Sequence, residues 1–300
     1  MIFALLTSIC WSISGFASSR ISRRFGAGLA NLLRLGFATV ILGGVCLGMD
    51  QPLWAPSFHW FMLAGMSHLA IGDLALFAAF RRLGPRLGVL IVGSLAPPIA
   101  LTIEWGVLGT TLTGLQILCA AGVLLLVGVA VAPRERRHLP PVELKWGLVF
   151  GMIAAIGQGL GTSLQRIGYV HNPEIVHSLW SITFLRVSAG ALGMLAWILI
   201  LKFSGKDPFT RPTEIIPHLR VKGHPLIWLF ISTFLGPIIG VFFLIIALET
   251  TPAALVQATI ATMPVFMIPV AWFFDGNKPS TRSLLSGCAA LGLSACLLIL

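Results

Sequence analysis

Long runs of apolar residues alternate along the chain with short connections that hold most of the charges. A helix needs about 20 apolar residues to cross the roughly 30 Å hydrocarbon layer of a membrane. The apolar positions are continuous rather than alternating with period two, which favours helices over a transmembrane barrel. Ten such runs are predicted as spans: 2–19, 29–48, 60–80, 87–108, 113–131, 147–168, 177–201, 226–247, 253–274 and 283–300.

Composition supports this prediction. Of the 300 residues, 57% are hydrophobic and only 10% are charged, and the mean hydropathy is +0.94. These values lie outside the range of soluble globular domains. The first run has no basic residues before it and no clear small-residue cleavage site, so it is interpreted as a helix rather than a signal peptide. The sequence therefore predicts an all-α integral membrane protein with ten transmembrane helices.

The formal net charge of +10 is explained by orientation rather than by a nucleic-acid partner. Of the 20 lysine and arginine residues, 17 fall in the connections that follow the odd-numbered predicted helices. Connections rich in lysine and arginine stay on the cytoplasmic side of a membrane. With ten helices, this bias predicts that both termini face outward.

The two halves of the chain resemble each other. Helices 1 and 6 share the dipeptide Arg-Ile at Arg20 and Arg166, at an offset of 146 residues. A second offset, of 167 residues, aligns three pairs in the later helices: Pro85 with Pro252, Pro97 with Pro264, and Gly109 with Gly276. We predict two units of five helices, residues 1–132 and 147–300, joined by a connecting segment at 133–146. An odd number of helices per unit places the units in opposite orientations, as an inverted repeat.

Two long strings carry a resemblance to a known family: RRLGPRLGVLIVGSLAPPIALTIEWGVLGTTLTGLQILCAAGVLLLVGVAV and ALETTPAALVQATIATMPVFMIPVAWFFDGNKPSTRSLLSGCAALGLSACLLIL. They resemble the two halves of an EamA-type protein of the drug/metabolite transporter superfamily. In that family each half has an arginine in its second helix and a proline in its fourth. The matching residues here are Arg34 and Arg186, and Pro97 and Pro264.

The chain departs from the family pattern in the turn before the fifth helix of each half. The family has Gly-Glu-Arg-Leu there, whereas this sequence reads GTTL from Gly109 and GNKP from Gly276. The glutamate is missing in both halves, so its role in relatives does not transfer to this chain. The family also has cytoplasmic termini, the opposite of what the charge bias predicts, and the sequence leaves both topologies open.

Ionisable residues inside the predicted spans are candidates for the solute pathway. A charge in hydrocarbon costs from ~2.5 to more than ~10 kcal/mol, so each one needs a reason to be there. Asp73 could line a polar cavity and take up a proton or bind a cationic group. It could equally be a fixed partner for Arg34 or for the pair Arg81 and Arg82. His68 lies five residues earlier, about 140° around an α-helix, so the two are expected to share a face poorly.

Two further charges have alternative interpretations. Arg186 could neutralise an anionic solute, or it could be architectural, because Arg34 matches it in the first half. Glu104, one turn before the end of helix 4, could anchor the interface beside Trp105 or act as an acid in a cavity.

Amides, glycines and prolines complete the candidates. Gln158 and Gln257 could bind a solute or hydrogen-bond a neighbouring helix. Glycines four residues apart allow helices to approach closely, and prolines favour kinks. The residues predicted for kinks and close packing are Pro97, Pro264, Pro237, Gly236 and Gly240.

These patterns predict a secondary transporter, an exporter or exchanger, that moves a small organic metabolite or drug-like solute by alternating access. A proton is a candidate coupling ion, with Asp73 and Glu104 as the titrating groups. The expected setting is multi-pass insertion in the lipid bilayer of a bacterial inner membrane, as a monomer or homodimer. A lipid-linked intermediate translocase of the same fold is the alternative, and an integral-membrane enzyme is the rival from another class.

Other chemistry has no motif in the chain. No nucleotide-binding loop or metalloprotease signature is present, so no cofactor and no metal is expected. The string HNPEIVH holds His171, Glu174 and His177, but it falls in a predicted connection and is interpreted as solvated.

Overall fold

The computed structural model describes residues 1–54, 57–131, 140–171, 178–204, 224–276 and 280–297. Within these ranges the chain is almost entirely helical and contains no strand. The first half has five helices: α1 Ile2–Phe25, α2 Ala27–Gly48, α3 Phe58–Leu83, α4 Pro85–Leu108 and α5 Gly114–Val131. The second half has five more: α6 Pro141–Val170, α7 Leu179–Ser204, α8 Pro225–Thr250, α9 Ala253–Asp275 and α10 Thr281–Cys296.

Eight of the helices in the described part of the chain are long and apolar enough to cross a membrane. These are α1 to α4 and α6 to α9, and they make the protein a multi-pass integral membrane protein. Helices α5 and α10 are apolar but shorter, with apolar stretches at Gly114–Ala130 and Ser283–Cys296. The predicted tenth span continued to residue 300, and its last three residues lie outside the described ranges. Of the ten predicted spans, eight therefore correspond to helices with the length and composition needed to cross a membrane.

Two helices extend six residues beyond one of their predicted limits. Helix α1 continues six residues past the predicted end at residue 19, with Arg23 and Arg24 in its last turn. Basic side chains there favour the negative end of the helix dipole. Helix α6 begins at Pro141, six residues before the predicted start, because proline suits the first turn of a helix. Part of the predicted connection 133–146 is thus helical. Hydropathy located the points where charged residues begin, and these are not the ends of the helices.

Contacts between the halves follow one rule. The first helix of each half packs on the third and fourth helices of the other: α1 lies against α8 and α9, and α6 lies against α3 and α4. The second helices α2 and α7 pack on each other, as do the fifth helices α5 and α10. The same pairs of contacts result when each helix of the first half is replaced by its equivalent in the second half, α1 by α6 and so on, and the reverse. The main contacts of α1 and α6 are thus made across the boundary between the halves.

Several helices depart from regular α-geometry. Helix α3 contains a π-helical segment at Met66–Gly72, and α8 contains one at Phe234–Ile238 that includes Pro237. Helix α9 is interrupted at residues 261–262, just before Pro264, whereas α4 runs without a break through Pro97. The two repeat-related prolines therefore have different local effects.

The interruption in α9 is hydrogen-bonded by a neighbouring helix. Pro264 has no backbone N–H, so the carbonyl of Ile260, four residues earlier, loses its regular donor. The hydroxyl of Ser8, on α1, donates to that carbonyl at 3.4 Å. Ser8 also lies 2.9 Å from the hydroxyl of Thr262. A polar residue of the first half thus stabilises the break in the second half.

Candidate functional site

A partly open cavity of about 40 Å³ lies between the two halves. Helices α1, α2 and α3 of the first half and α6, α8 and α9 of the second half line it. The lining residues include Trp11, Ser14, Ser18, Arg34, His68, Asp73, Phe77, Phe80, Gln158, Gly236, Pro237 and Met263. The wall combines the rings of Trp11, Phe77 and Phe80 with apolar residues and several convergent polar and charged groups, as solute-binding cavities do.

An ion pair forms the charged part of the wall. The guanidinium of Arg34, on α2, donates a hydrogen bond to the carboxylate of Asp73, on α3. Both residues are buried, and the guanidinium carbon of Arg34 lies 4.9 Å from the ring centroid of Phe77. The two interpretations of Asp73 are therefore not exclusive, because it is the partner of Arg34 and also lines the cavity. Removing one partner of such a buried pair strongly destabilises a protein, because the other charge is left buried without a counter-charge.

His68 and Asp73 line the same cavity, contrary to the prediction that they share a face poorly. The reason is the π-helical segment at Met66–Gly72, which lies between them along α3. A π-helix joins residue i to residue i+5, so residues five apart come to lie nearly above one another. The 140° estimate assumed an unbroken α-helix.

Arg186 lies behind the cavity wall rather than in it. Its side chain is completely buried on α7 and donates to Oε1 of Gln165 at 2.9 Å and to Nδ1 of His68 at 2.8 Å. Arg34 and Arg186 match in sequence, yet only Arg34 reaches the cavity. The contact of Arg186 with the cavity is indirect, through the imidazole of His68.

Two predicted amides form a second chain of hydrogen bonds. Gln158, on α6, lines the cavity and donates from Nε2 to Oε1 of Gln257 at 2.7 Å. Gln257, on α9, is completely buried and donates from its own Nε2 to the hydroxyl of Thr162 at 3.2 Å. Gln158 is thus a wall residue, and Gln257 supports it from behind.

Glu104 takes a role that neither interpretation from the sequence included. It is completely buried, which excludes an interface anchor, and it is not among the lining residues of the cavity. Its two carboxylate oxygens accept hydrogen bonds from the backbone N–H groups of Ala253 at 2.9 Å and Ala254 at 3.2 Å. These groups belong to the first turn of α9, whose N–H groups lack intrahelical partners. Glu104 therefore caps a helix of the other half.

A second charged residue lies where α8 ends and α9 begins. Arg166, on α6, donates to the backbone carbonyls of Leu248 and Glu249 in the last turn of α8. A cation at the end of one helix and the anion Glu104 at the start of the next both match the helix dipoles. The repeat had singled out Arg166 only as the counterpart of Arg20.

The opposite end of α9 is held by that counterpart. Arg20, near the end of α1, forms a salt bridge with Asp275 at the end of α9, with an N–O distance of 2.5 Å. Its guanidinium carbon also lies 4.5 Å from the ring centroids of Phe16 and Trp228. Arg20 thus joins the first half to α8 and α9 at one end of α9. Glu104 joins the first half to α9 at the other end, where Arg166 of the second half binds α8.

Helix α1 supplies cavity residues that were not predicted from the sequence. Trp11, Ser14 and Ser18 line the cavity, and their spacing of three and four residues was a readable signal of one polar helix face. The hydroxyl of Ser14 donates to the carbonyl of Ser232 at 3.0 Å. A Cβ added at Gly236 would lie 2.6 Å from that hydroxyl oxygen, so glycine allows α8 to approach α1.

The second predicted packing glycine of α8 acts in the same way. A Cβ at Gly240 would lie 2.4 Å from the Trp11 ring. The indole N–H of Trp11 also donates to the carbonyl of Gly236 at 3.4 Å. Close packing of α8 on α1 therefore forms one wall of the cavity.

The string HNPEIVH is only partly described, because Glu174 and His177 lie outside the described residues. Nδ1 of His171 lies 3.1 Å from the carbonyl of Ile167, within its own helix. Among the described residues no group of three or more histidine, cysteine, aspartate or glutamate side chains could hold a metal ion.

Comparison with known proteins identifies the family. A sequence model of the EamA-like transporter family matches residues 1–132 and 145–300, which is almost the whole chain. No curated protein matches. Among solved structures, 26 chains match. One of them, titled "Crystal structure of protein", has a TM-score of 0.72 at 16% identity, over 99% of this chain and 95% of that chain, which shows a common fold. The chain therefore belongs to the EamA-like transporter family of the drug/metabolite transporter superfamily.

Proposed function

We propose that this protein is a secondary transporter that moves a small organic solute by alternating access. The observation that carries the proposal is the cavity between the halves, whose wall holds a buried ion pair, Arg34 and Asp73, together with the rings of Trp11, Phe77 and Phe80. A buried pair in a membrane-spanning region is costly, and such groups mark solute or ion pathways. The solute would be an exported or exchanged metabolite, with its own gradient or a proton supplying the energy.

The two junctions around α9 support alternating access. Arg20 and Asp275 join the two halves at one end of α9, while Glu104 joins them at the other end, beside the contact of Arg166 with α8. In the proposed cycle one set of contacts opens while the other stays closed. Because α1 and α6 make equivalent cross-half contacts, each would move with the helices of the opposite half.

The proposal includes ten membrane crossings arranged as two inverted halves of five. Helix α5 has 18 residues and α10 has 16 described ones, which at about 1.5 Å per residue gives roughly 27 and 24 Å. Both lengths approach the hydrocarbon thickness, and the two helices pack on each other. The setting that we propose is a bacterial inner membrane, with a monomer or homodimer as the working unit.

Transport by the purified protein tests the proposal. The protein would be reconstituted in liposomes, and uptake of labelled amino acids, amides, sugars and drug-like amines would be measured with and without a pH gradient. We expect at least one class to be taken up, and the double variant Arg34→Met/Asp73→Leu to abolish that uptake. Failure of every class under both conditions, with correctly folded protein, would contradict the proposal.

A further inference from the structure

The hydrogen bond between Arg186 and His68 fixes the form of the imidazole. An arginine side chain has only N–H donors and no acceptor. Nδ1 of His68, which lies 2.8 Å from an Arg186 nitrogen, must therefore accept, and must carry a lone pair rather than a proton. An imidazolium has protons on both nitrogens, so the ring is neutral and its single proton is on Nε2.

The proton-bearing edge of His68 is the one that Arg186 does not occupy. His68 lines the cavity, whereas Arg186, which occupies Nδ1, does not. Within the described chain Nε2 has no hydrogen-bond partner, and the ring is held edge-on to Trp11 at a centroid distance of 5.2 Å. His68 therefore presents a hydrogen-bond donor, and no acceptor, to whatever occupies the cavity.

The hydrogen bonds that join Gln158, Gln257 and Thr162 determine which group of Gln158 stays free, and this group is an acceptor rather than a donor. The hydroxyl of Thr162 lies 3.0 Å from the backbone carbonyls of Gln158 and Gly159, to which it can only donate. Its oxygen must then accept from Nε2 of Gln257, and Oε1 of Gln257 must accept from Nε2 of Gln158. This sequence of bonds leaves Oε1 of Gln158 without a partner in the part of the chain that the structure describes. Gln158 therefore presents an acceptor.

Resting on the proposed transport function, we infer that the cavity recognises a neutral polar head that carries an acceptor for His68 and a donor for Gln158. A carboxamide has both groups. A neutral head leaves the Arg34–Asp73 pair intact, whereas a head with net charge would compete with one of its members. The apolar part of the solute would pack on Phe77 and Phe80. Arg186 and Gln257 are positioning residues, because they act through His68 and Gln158.

The first test concerns the imidazole and does not depend on transport. The protein, labelled with ¹⁵N-histidine and held in lipid nanodiscs, would be examined by NMR, and the His68→Gln variant would identify the His68 signal among the seven histidines. The expected result is a neutral ring with its proton on Nε2. In Arg186→Met the signal should show a mixture of tautomers, since no donor remains at Nδ1. A proton on Nδ1 of the wild-type ring, or an imidazolium, would overturn the inference.

The second test uses three probes with the same phenylpropyl body. These are 3-phenylpropanamide, which has both groups, 3-phenylpropanoate, which has only acceptors, and 3-phenylpropylamine, which is cationic and has only donors. We expect the amide to bind most tightly, measured by thermal stabilisation of the purified protein. His68→Gln keeps a donor near the position of Nε2 and should retain binding within a few-fold. His68→Leu and Gln158→Met should each lose about tenfold, the effect of one neutral hydrogen bond.

Two results would overturn the assigned head group: weaker binding of the amide than of the charged probes, or equal binding by the His68→Gln and His68→Leu variants. Failure of the inference is distinguishable from failure of the proposed function. If the His68 proton were on Nδ1 and solute uptake were still observed, only the assigned head group would be contradicted. The expected tautomer without uptake of any solute would remove the transport function instead.

Discussion

The carboxylate of Glu104 on α4 caps Ala253, the first residue of α9, across the boundary between the halves, with 2.9 Å between Oε1 and the backbone nitrogen. N-terminal caps normally come from the residue that precedes the helix. Here that residue is Pro252, which has no side-chain acceptor, and a carboxylate from a distant part of the chain replaces it. The start of α9 is therefore correctly formed only when the two halves are assembled.

Replacing Glu104 is expected to destabilise the assembled protein. Glu104→Ala leaves two N–H groups of α9 without acceptors and should lower the free energy of unfolding by about 1–3 kcal/mol. Unfolding would be followed by fluorescence in mixed detergent micelles. The control is Glu143→Gln, because Glu143 is a partly exposed carboxylate 3.5 Å from Arg82 and should cost less than about 1 kcal/mol. Equal effects of the two changes would argue against the capping role.

The Arg34–Asp73 pair can be tested by removing one partner or both. Asp73→Asn leaves a buried guanidinium without its counter-charge and is expected to cost about 3–5 kcal/mol. The double variant Arg34→Met/Asp73→Leu removes both charges and should recover most of that loss, because apolar replacements avoid the desolvation cost.

Stability and solute uptake would be measured on the same protein preparations. We expect the double variant to be folded but inactive, which separates the structural role of the pair from its role in the cavity. Full uptake by the double variant would show that the pair serves only the fold.

The Arg20–Asp275 salt bridge is expected to control access to the cavity from its own end. In a cysteine-free background, Ser18→Cys places a thiol on the cavity wall. Adding Asp275→Asn removes the salt bridge, while Arg20 keeps its contacts with aromatic rings. Labelling of the thiol by a water-soluble maleimide should become several-fold faster. The control is Asp50→Asn, and an unchanged rate with Asp275→Asn would exclude the gating role.

Gly157 and Gly44, each of which lies four residues before another glycine, should respond oppositely to replacement by alanine. A Cβ at Gly157 would lie 2.5 Å from the backbone oxygen of Ser67, in the π-helical segment of α3. Gly157→Ala should therefore cost about 1–3 kcal/mol, because backbone cannot move aside as a flexible side chain can.

The matched control is Gly44→Ala on α2. Gly44 is exposed, and a Cβ there would meet nothing within 4 Å. This change should be neutral or stabilise the protein by about 0.4–1 kcal/mol, since alanine restricts the unfolded chain. Unfolding midpoints of the two variants, measured side by side, check the prediction. Destabilisation of equal size by both changes would contradict it.

Helical class, multi-pass insertion and family could all be predicted from the sequence. Each depends on the order of residues along the chain: apolar runs of membrane length, and prolines and arginines that recur at fixed offsets. The glycines Gly109 and Gly276 illustrate this, because both end their helices in the left-handed conformation, with φ of 65° and 72°. Helix limits were less accurate, because charged ends such as Arg23 and Arg24 lower hydropathy without ending a helix.

The roles of the polar residues could be decided only by the tertiary structure. Arg34 and Arg186 match in sequence, yet one lines the cavity and the other supports His68 from behind, because different helices pack around them. The π-helical segment of α3 brought His68 and Asp73 to one cavity, and no α-helical wheel could represent it. Glu104 accepts a hydrogen bond from the backbone N–H of Ala253, which is 149 residues away along the chain. The sequence therefore determined which helices form and which charges lie inside them. Packing between the halves decided which of those charges satisfy one another and which face the cavity, because hydrogen-bond partners inside a membrane protein come from neighbouring helices.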